Sequence, residues 1–262
     1  MQPLVVLTYP GHFLLTALTI RSYFQHHISV PVTVIADDLS DFAWSSYIAD
    51  CEQLYKCTVI PVSQIASAAR FKAGWIRQQI VKLYLDQVLP YDSWFFSDGD
   101  VEYHFAAPTD AIPYVIRSES TPNQQNQYTK DLLKVDHVKI DSRWDVSNPP
   151  FRTMQANTLR QLRQHVESVH NISFDQLHAS VGGNMSEWAL IANFQLTVLN
   201  QSVPLVYYPT VTIGQPVTLI PGQPDYCATC YVTDSAFGQA WWQEKQIDTD
   251  DRIWEYIVNI SK

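Results

Sequence analysis

The run Tyr91-Asp-Ser-Trp-Phe-Phe-Ser-Asp-Gly-Asp-Val-Glu-Tyr103 carries a block of large apolar residues into two carboxylates one residue apart, Asp98 and Asp100. Short apolar runs bounded by turn residues read as buried strands. Ligand sites in open α/β sheets lie just beyond the carboxyl ends of such strands. Paired carboxylates there suit a hard divalent cation, which takes oxygen ligands and often holds a substrate's phosphates as well. Gly99 is expected to leave room for a phosphate or sugar, and Glu102 and His104 to extend the polar cluster. Asp and Gly also favour ordinary turns. The place of the pair, after the fourth strand of an alternating series, favours a site.

Directly upstream lies Gly74-Trp-Ile-Arg-Gln-Gln-Ile-Val-Lys-Leu83. Arg77 and Gln78 precede Lys82 by five and four residues, so helical spacing can bring some of them to one face. A cation there could neutralise phosphate or contact a base and ribose. Each of the three, taken alone, reads equally as part of a solvated face.

These residues need a scaffold, and the first half of the chain predicts one. Strands are expected over 4–7, 30–35, 57–62 and 93–97, with helices over 12–27, 41–55 and 71–89, the last stopped by Pro90. That alternation implies crossover helices and a mostly parallel sheet. The second half is less regular. A strand is expected over 112–117, a long polar loop with minor elements over 118–148, and helices over 158–170 and 186–199. Further strands are expected over 203–208 and 217–220, and closing helices over 235–245 and 250–260. The loop is long enough to be functional. One domain is expected, with 1–110 as a ligand-binding half and 111–262 as the other.

The 262 residues include 8 Trp, 14 Tyr and 11 Phe, enough aromatic surface for a sizeable core. The formal charge of −9 argues against generic binding to nucleic acid or anionic lipid. Cys227-Ala-Thr-Cys230 is a lone pair of thiols, without the further ligands a zinc site needs. It reads as reduced cysteines in a loop. No charged leader and no stretch of about 20 apolar residues is found, so a cytoplasmic protein without a membrane span is expected.

The run from Trp75 to His104 resembles the nucleotide-sugar segment of GT-A glycosyltransferases. Those proteins carry a helix with Arg or Lys, a short Leu-Pro-Tyr-Asp-like link, a hydrophobic strand and a DxD motif. Leu89-Pro-Tyr-Asp92 and Asp98-Gly-Asp100 match this pattern. The chain is more closely similar to a bacterial glycosyltransferase-like group of largely uncharacterised proteins. Their marks are a Trp-Ile-Arg-Gln-Gln helix and a later Ser-Glu-Tyr/Trp segment, matched here by Trp75-Ile-Arg-Gln-Gln79 and Ser186-Glu-Trp-Ala-Leu-Ile-Ala-Asn-Phe194. The likeness covers most of the chain loosely and about forty residues well.

The resemblance implies a single GT-A-like (Rossmann-like) α/β domain with a mostly parallel central sheet flanked by helices. It implies a nucleoside-diphosphate sugar donor, a glycan or other hydroxyl acceptor, and Mn²⁺ or Mg²⁺. Asp98 and Asp100 would hold the metal. Asp98, Arg77, Gln78 and Lys82 would hold the donor, with Thr8 and Tyr9 at the base and Asp37 at the ribose or base. Glu187, after Val181-Gly-Gly-Asn-Met185, would serve as base toward the acceptor hydroxyl. A first-turn helix Glu beside a capping Ser186 is the structural alternative. Turn chemistry is the favoured reading of Asp38. Arg117 and Arg152 are not distinguished from surface arginines, and burial is the favoured reading of Trp241 and Trp242. Many metal-dependent members supply a late His ligand, and no His follows His178 here.

Two rival readings accompany this one. A haloacid-dehalogenase-like phosphatase also places DxD after a strand, with Asp98 as nucleophile and Asp100 as acid–base. That motif belongs on the first core strand, whereas here it follows the fourth. The other rival is a non-catalytic sugar-nucleotide or carbohydrate binder.

Overall fold

The computed structural model describes residues 2–8, 13–38, 57–70, 74–104, 106–107, 109–116, 124–140, 144–146, 151–181, 186–208, 210–212 and 228–230. The first half contains β1 (Leu4–Thr8), α1 (Phe13–His26), β2 (Val32–Ala36), β3 (Thr58–Pro61), α2 (Gly74–Tyr84), β4 (Ser93–Asp98) and β5 (Val101–Tyr103). The second contains β6 (Ile112–Ile116), α3 (Gln124–Leu133), β7 (Trp144–Asp145), β8 (Phe151–Gln155), α4 (Ala156–His170), α5 (Phe174–Val181), α6 (Glu187–Asn193), β9 (Leu205–Tyr207), β10 (Thr210–Thr212) and β11 (Ala228–Cys230).

The central sheet has the order β3-β2-β1-β4-β8. The first four strands are parallel, and β8 closes the edge antiparallel to β4. Strand side chains alternate between faces, and the core divides accordingly. Val5, Leu7, Trp94 and Phe96 join one buried cluster, with Ile80, Val81 and Leu83 of α2, Leu159 and Leu162 of α4, and Trp188, Leu190 and Ile191 of α6. Leu4, Val6 and Phe95 face the other way, onto Ile20 and Tyr23 of α1. A parallel sheet needs cover on both faces, and β1 is buried throughout its length.

The chain builds β1, β2 and β3 outward in one direction, then returns to lay β4 on the other side of β1. The carboxyl ends of β1 and β4 therefore flank a topological switch point, the usual place for a ligand crevice. In register, Leu7 lies beside Asp98, and Thr8 beside Ala36.

The expected loop over 118–148 is corrected in part: it contains the ten-residue helix α3. Its polar face hides a short apolar anchor, with Thr129, Leu132 and Leu133 buried. The carbonyls of Leu132 and Leu133 accept from Nε2 of His170 and His165 on α4, which satisfies orphan acceptors at the helix end. The helix expected over 186–199 is α6 followed by a π-helical turn, Phe194–Val198. The expected elements over 41–55, 217–220, 235–245 and 250–260 lie outside the described residues. Among the described residues, no helix is long and apolar enough to cross a membrane.

Candidate functional site

Three elements deliver one buried charge cluster to the switch point. Lys82, in the last turn of α2, sends its ammonium to Asp98 at the end of β4, with Nζ 2.9 Å from Oδ1 and 3.1 Å from Oδ2. The same ammonium donates to Oε1 of Glu187 at 2.6 Å. Glu187 opens α6, whose N-cap Ser186 accepts from the Ala189 N–H at 3.3 Å. The side chains of Lys82 and Glu187 are 5% and 7% exposed, and that of Asp98 is 21% exposed, so Asp98 is the member that meets solvent.

One ammonium shared by two carboxylates sets the electrostatics. Burial alone would lower the Lys82 pKa, but the charges of Asp98 and Glu187 and the hydrogen bonds to them outweigh it, and the ammonium is held above the usual lysine range. Burial drives the Asp98 carboxyl upward. Lys82 pulls it back, Glu187 adds to the rise, and the net direction is up. Nζ also lies 4.7 Å from the centre of the Trp188 ring and 5.5 Å from that of Phe96, within cation–π range.

A second ion pair stands nearby at the end of β2. Nη1 of Arg77 lies 2.9 and 3.0 Å from the two oxygens of Asp37, and both side chains are buried. The Asp37 N–H donates to the Thr8 carbonyl at 2.9 Å, tying this pair to the end of β1. Oγ1 of Thr8 lies 2.6 Å from that of Thr16. Gln78 is half-buried on α2. Thr8, Asp37, Arg77, Lys82, Asp98 and Glu187 are thus gathered around the ends of β1, β2 and β4. Asp100 occupies the half-buried turn between β4 and β5, Glu102 lies on β5, and His104 is exposed just beyond it. The Asp38 carboxylate, expected to serve its own turn, instead reaches the segment after β3, accepting from the Ser63 N–H at 2.8 Å and the Ser63 hydroxyl at 2.6 Å. Tyr9, Arg117, Trp241 and Trp242 lie outside the described residues.

Two expectations are corrected. Gly99 does not open space for a ligand. A Cβ there would meet the Leu7 carbonyl oxygen and Thr16 Oγ1 at 2.6 Å each, so the missing side chain is what lets the Asp98–Asp100 turn press against β1 and α1. Arg152 is not a surface arginine. It is 1% exposed, with Nη1 donating to the Trp188 carbonyl at 2.6 Å.

The sequence reading also missed a polar ladder on α1. Thr16, Thr19 and Ser22 recur every third residue and are buried. Thr19 Oγ1 accepts from the Val101 N–H, and Ser22 Oγ from the Tyr103 N–H, at 3.0 Å each, while Thr16 lies 3.4 Å from the Gly99 carbonyl. This row holds the turn that carries Asp100. Its spacing was visible, but hydroxyls three apart on a helix have many uses.

A Mg²⁺ or Mn²⁺ ion is commonly held by one or two carboxylates plus substrate phosphates, without a protein cage. Asp98, part-exposed, and Asp100, on the adjoining turn, fit that pattern. No cluster of three or more His, Cys, Asp or Glu suited to a metal is found among the described residues.

No family model and no curated protein matches the chain. Solved structures do. A galactosyltransferase, LgtC, in complex with donor and acceptor sugar analogues, superposes with a TM-score of 0.52 at 9% identity, over 98% of this chain and 100% of that one. The fold is that of the GT-A glycosyltransferases. An active-site mutant of the same LgtC gives a TM-score of 0.51, again at 9% identity and the same coverage.

Proposed function

We propose that this chain is a glycosyltransferase that moves a sugar from a nucleoside-diphosphate sugar to an acceptor hydroxyl. The observation that carries the reading is the Lys82 ammonium joining the DxD carboxylate Asp98 to Glu187 at the switch point of a GT-A fold. LgtC, a neighbour of that fold, was solved with donor and acceptor sugar analogues.

In this reading Asp98 and Asp100 hold a Mg²⁺ or Mn²⁺ ion together with the donor diphosphate. The bound ion supplies Lewis-acid stabilisation of the leaving nucleotide. Thr8, Tyr9 and Asp37 face the base and ribose, and Arg77 fixes Asp37. Gln78 lines the donor side of α2. Lys82 fixes the Asp98 and Glu187 carboxylates and adds positive charge beside the leaving diphosphate. Glu187 accepts the acceptor's proton if transfer inverts configuration, and orients the acceptor hydroxyl if transfer retains it. Residues 1–110 form the donor half and 111–262 the acceptor half of one domain.

The test is turnover of a sugar-nucleotide panel, reading nucleoside diphosphate, beside a panel of sugar monophosphates, reading inorganic phosphate. Diphosphate release from one donor, reduced in Glu187→Gln by about a hundredfold with donor KM held within a few-fold, is the expected result. Inorganic phosphate release from a sugar monophosphate, with no sugar nucleotide consumed, would favour the phosphatase reading. Binding without turnover would favour a non-catalytic sugar-nucleotide binder.

A further inference from the structure

Arg152 stands on β8 opposite Phe96 of β4. Its guanidinium is buried, and its partners are carbonyls: Trp188 at 2.6 Å through Nη1 and Val146 at 3.3 Å through Nη2, with no partner for Nε among the described residues. Its Cζ lies 5.4 Å from the centre of the Trp188 ring, the same ring that Lys82 approaches to 4.7 Å.

Two carbonyls can be satisfied by a neutral donor. A buried guanidinium is costly unless a negative charge compensates it. The compensating charge is close in the chain to what Arg152 holds, since Glu187 directly precedes Trp188. Burial pushes the guanidinium down, and the charge on Glu187 opposes that shift. Lys82 and Arg152 both approach the Trp188 ring, so two positive charges stand beside the residue that follows Glu187. Lys82 alone would leave one carboxylate unbalanced.

We propose that Arg152 is a positioning residue that fixes the turn of α6 carrying Glu187 and supplies the second positive charge for the Asp98–Glu187 pair. The catalytic meaning of this role rests on the glycosyltransferase reading; the charge balance does not.

The experiment is therefore a double-mutant cycle on the full chain, with unfolding of wild type, Arg152→Met, Glu187→Gln and the double variant. Charge balance predicts coupling: the double variant melts no lower than Arg152→Met alone, because removing Glu187 relieves the charge that Arg152 had matched. Simply additive losses would overturn the proposal. Should Arg152→Met fail to fold, Arg152→Lys and Arg152→Gln give the same comparison, with the charge-keeping variant expected to melt higher. Equal melting of that pair would also count against the proposal.

Turnover gives an independent reading on any donor the wild type consumes. Loss of position predicts a fall in kcat of about tenfold or more in Arg152→Met, with donor KM nearly unchanged and substantial rescue by Arg152→Lys. Unchanged kcat in Arg152→Met would overturn the positioning role. Coupling in the cycle from a wild type that consumes no sugar nucleotide would support the charge balance and count against the transferase reading instead.

Discussion

The Lys82 ammonium donates to Oε1 of Glu187 at 2.6 Å, across 105 residues of chain. That contact joins the helix before the DxD strand to a helix in the other half of the sequence. With Asp98 as its second partner, Lys82 ties three elements together where the sheet changes direction.

Replacing Lys82 tests how much this tie matters to the fold. Lys82→Met keeps the aliphatic stem but removes the ammonium to which both Asp98 and Glu187 are bonded. Removing one partner of a buried pair costs about 3 kcal/mol or more, and the solvent reaching Asp98 places the expected loss at the lower end. Urea unfolding at neutral pH reads it directly. Adding Asp98→Asn should recover part of the loss, and an unchanged midpoint in Lys82→Met would contradict the picture.

Gly99→Ala puts a methyl group 2.6 Å from a β1 carbonyl oxygen and from Thr16 Oγ1. The hydroxyl can shift, but the backbone oxygen moves only with β1. A stability loss of about 1–3 kcal/mol is expected, as for other overpacked sites. The turn bearing Asp100 should shift with it, weakening cation-dependent nucleotide binding. An alanine variant with native melting and native binding would show that this contact is not tight.

His27 gives a pH dependence. Its ring stacks on Tyr23 at 4.1 Å, and Nε2 accepts the Ala107 N–H at 3.0 Å, a bond only the neutral ring can accept. Burial lowers its pKa, and His26 adds to the effect. The unfolded chain therefore binds the proton more readily than the folded one. Stability is full above the unfolded histidine value of about 6.5 and falls as pH drops through it toward the lower folded value. Melting temperatures of wild type and His27→Gln should converge between pH 7.5 and roughly pH 5. A gap that stays constant over that range would remove His27 as a source of pH sensitivity.

Much of the first half was legible because its signals are local. Apolar runs such as Leu4-Val-Val-Leu7 and Trp94-Phe-Phe96 announce buried parallel strands, and helical spacing fixed α1 and α2. The DxD was singled out by residue type and place, Lys82 by its place on the helix before it, and Glu187 by the family resemblance. Their joining was not predicted, because the pairing of Lys82 with Glu187 depends on how two distant helices pack. Strand β8 was missed since Phe151-Arg-Thr-Met-Gln155 alternates poorly, and its two faces are both covered at Arg152. Arg152 itself was misread for the same reason: nothing local tells a buried guanidinium from a solvated one. Helix α3 was taken as loop because its glutamine-rich face hides only two buried leucines.

Binding of a metal–diphosphate by the Asp98–Asp100 turn is open to a thermal-shift panel of UDP, GDP, CDP, ADP and TDP with and without Mn²⁺. A ligand that binds the native state raises its melting temperature by mass action. A rise with one nucleotide is expected, dependent on Mn²⁺ and lost in Asp100→Ala while the fold is retained. No rise with any nucleotide, or a rise that survives Asp100→Ala undiminished, would contradict it.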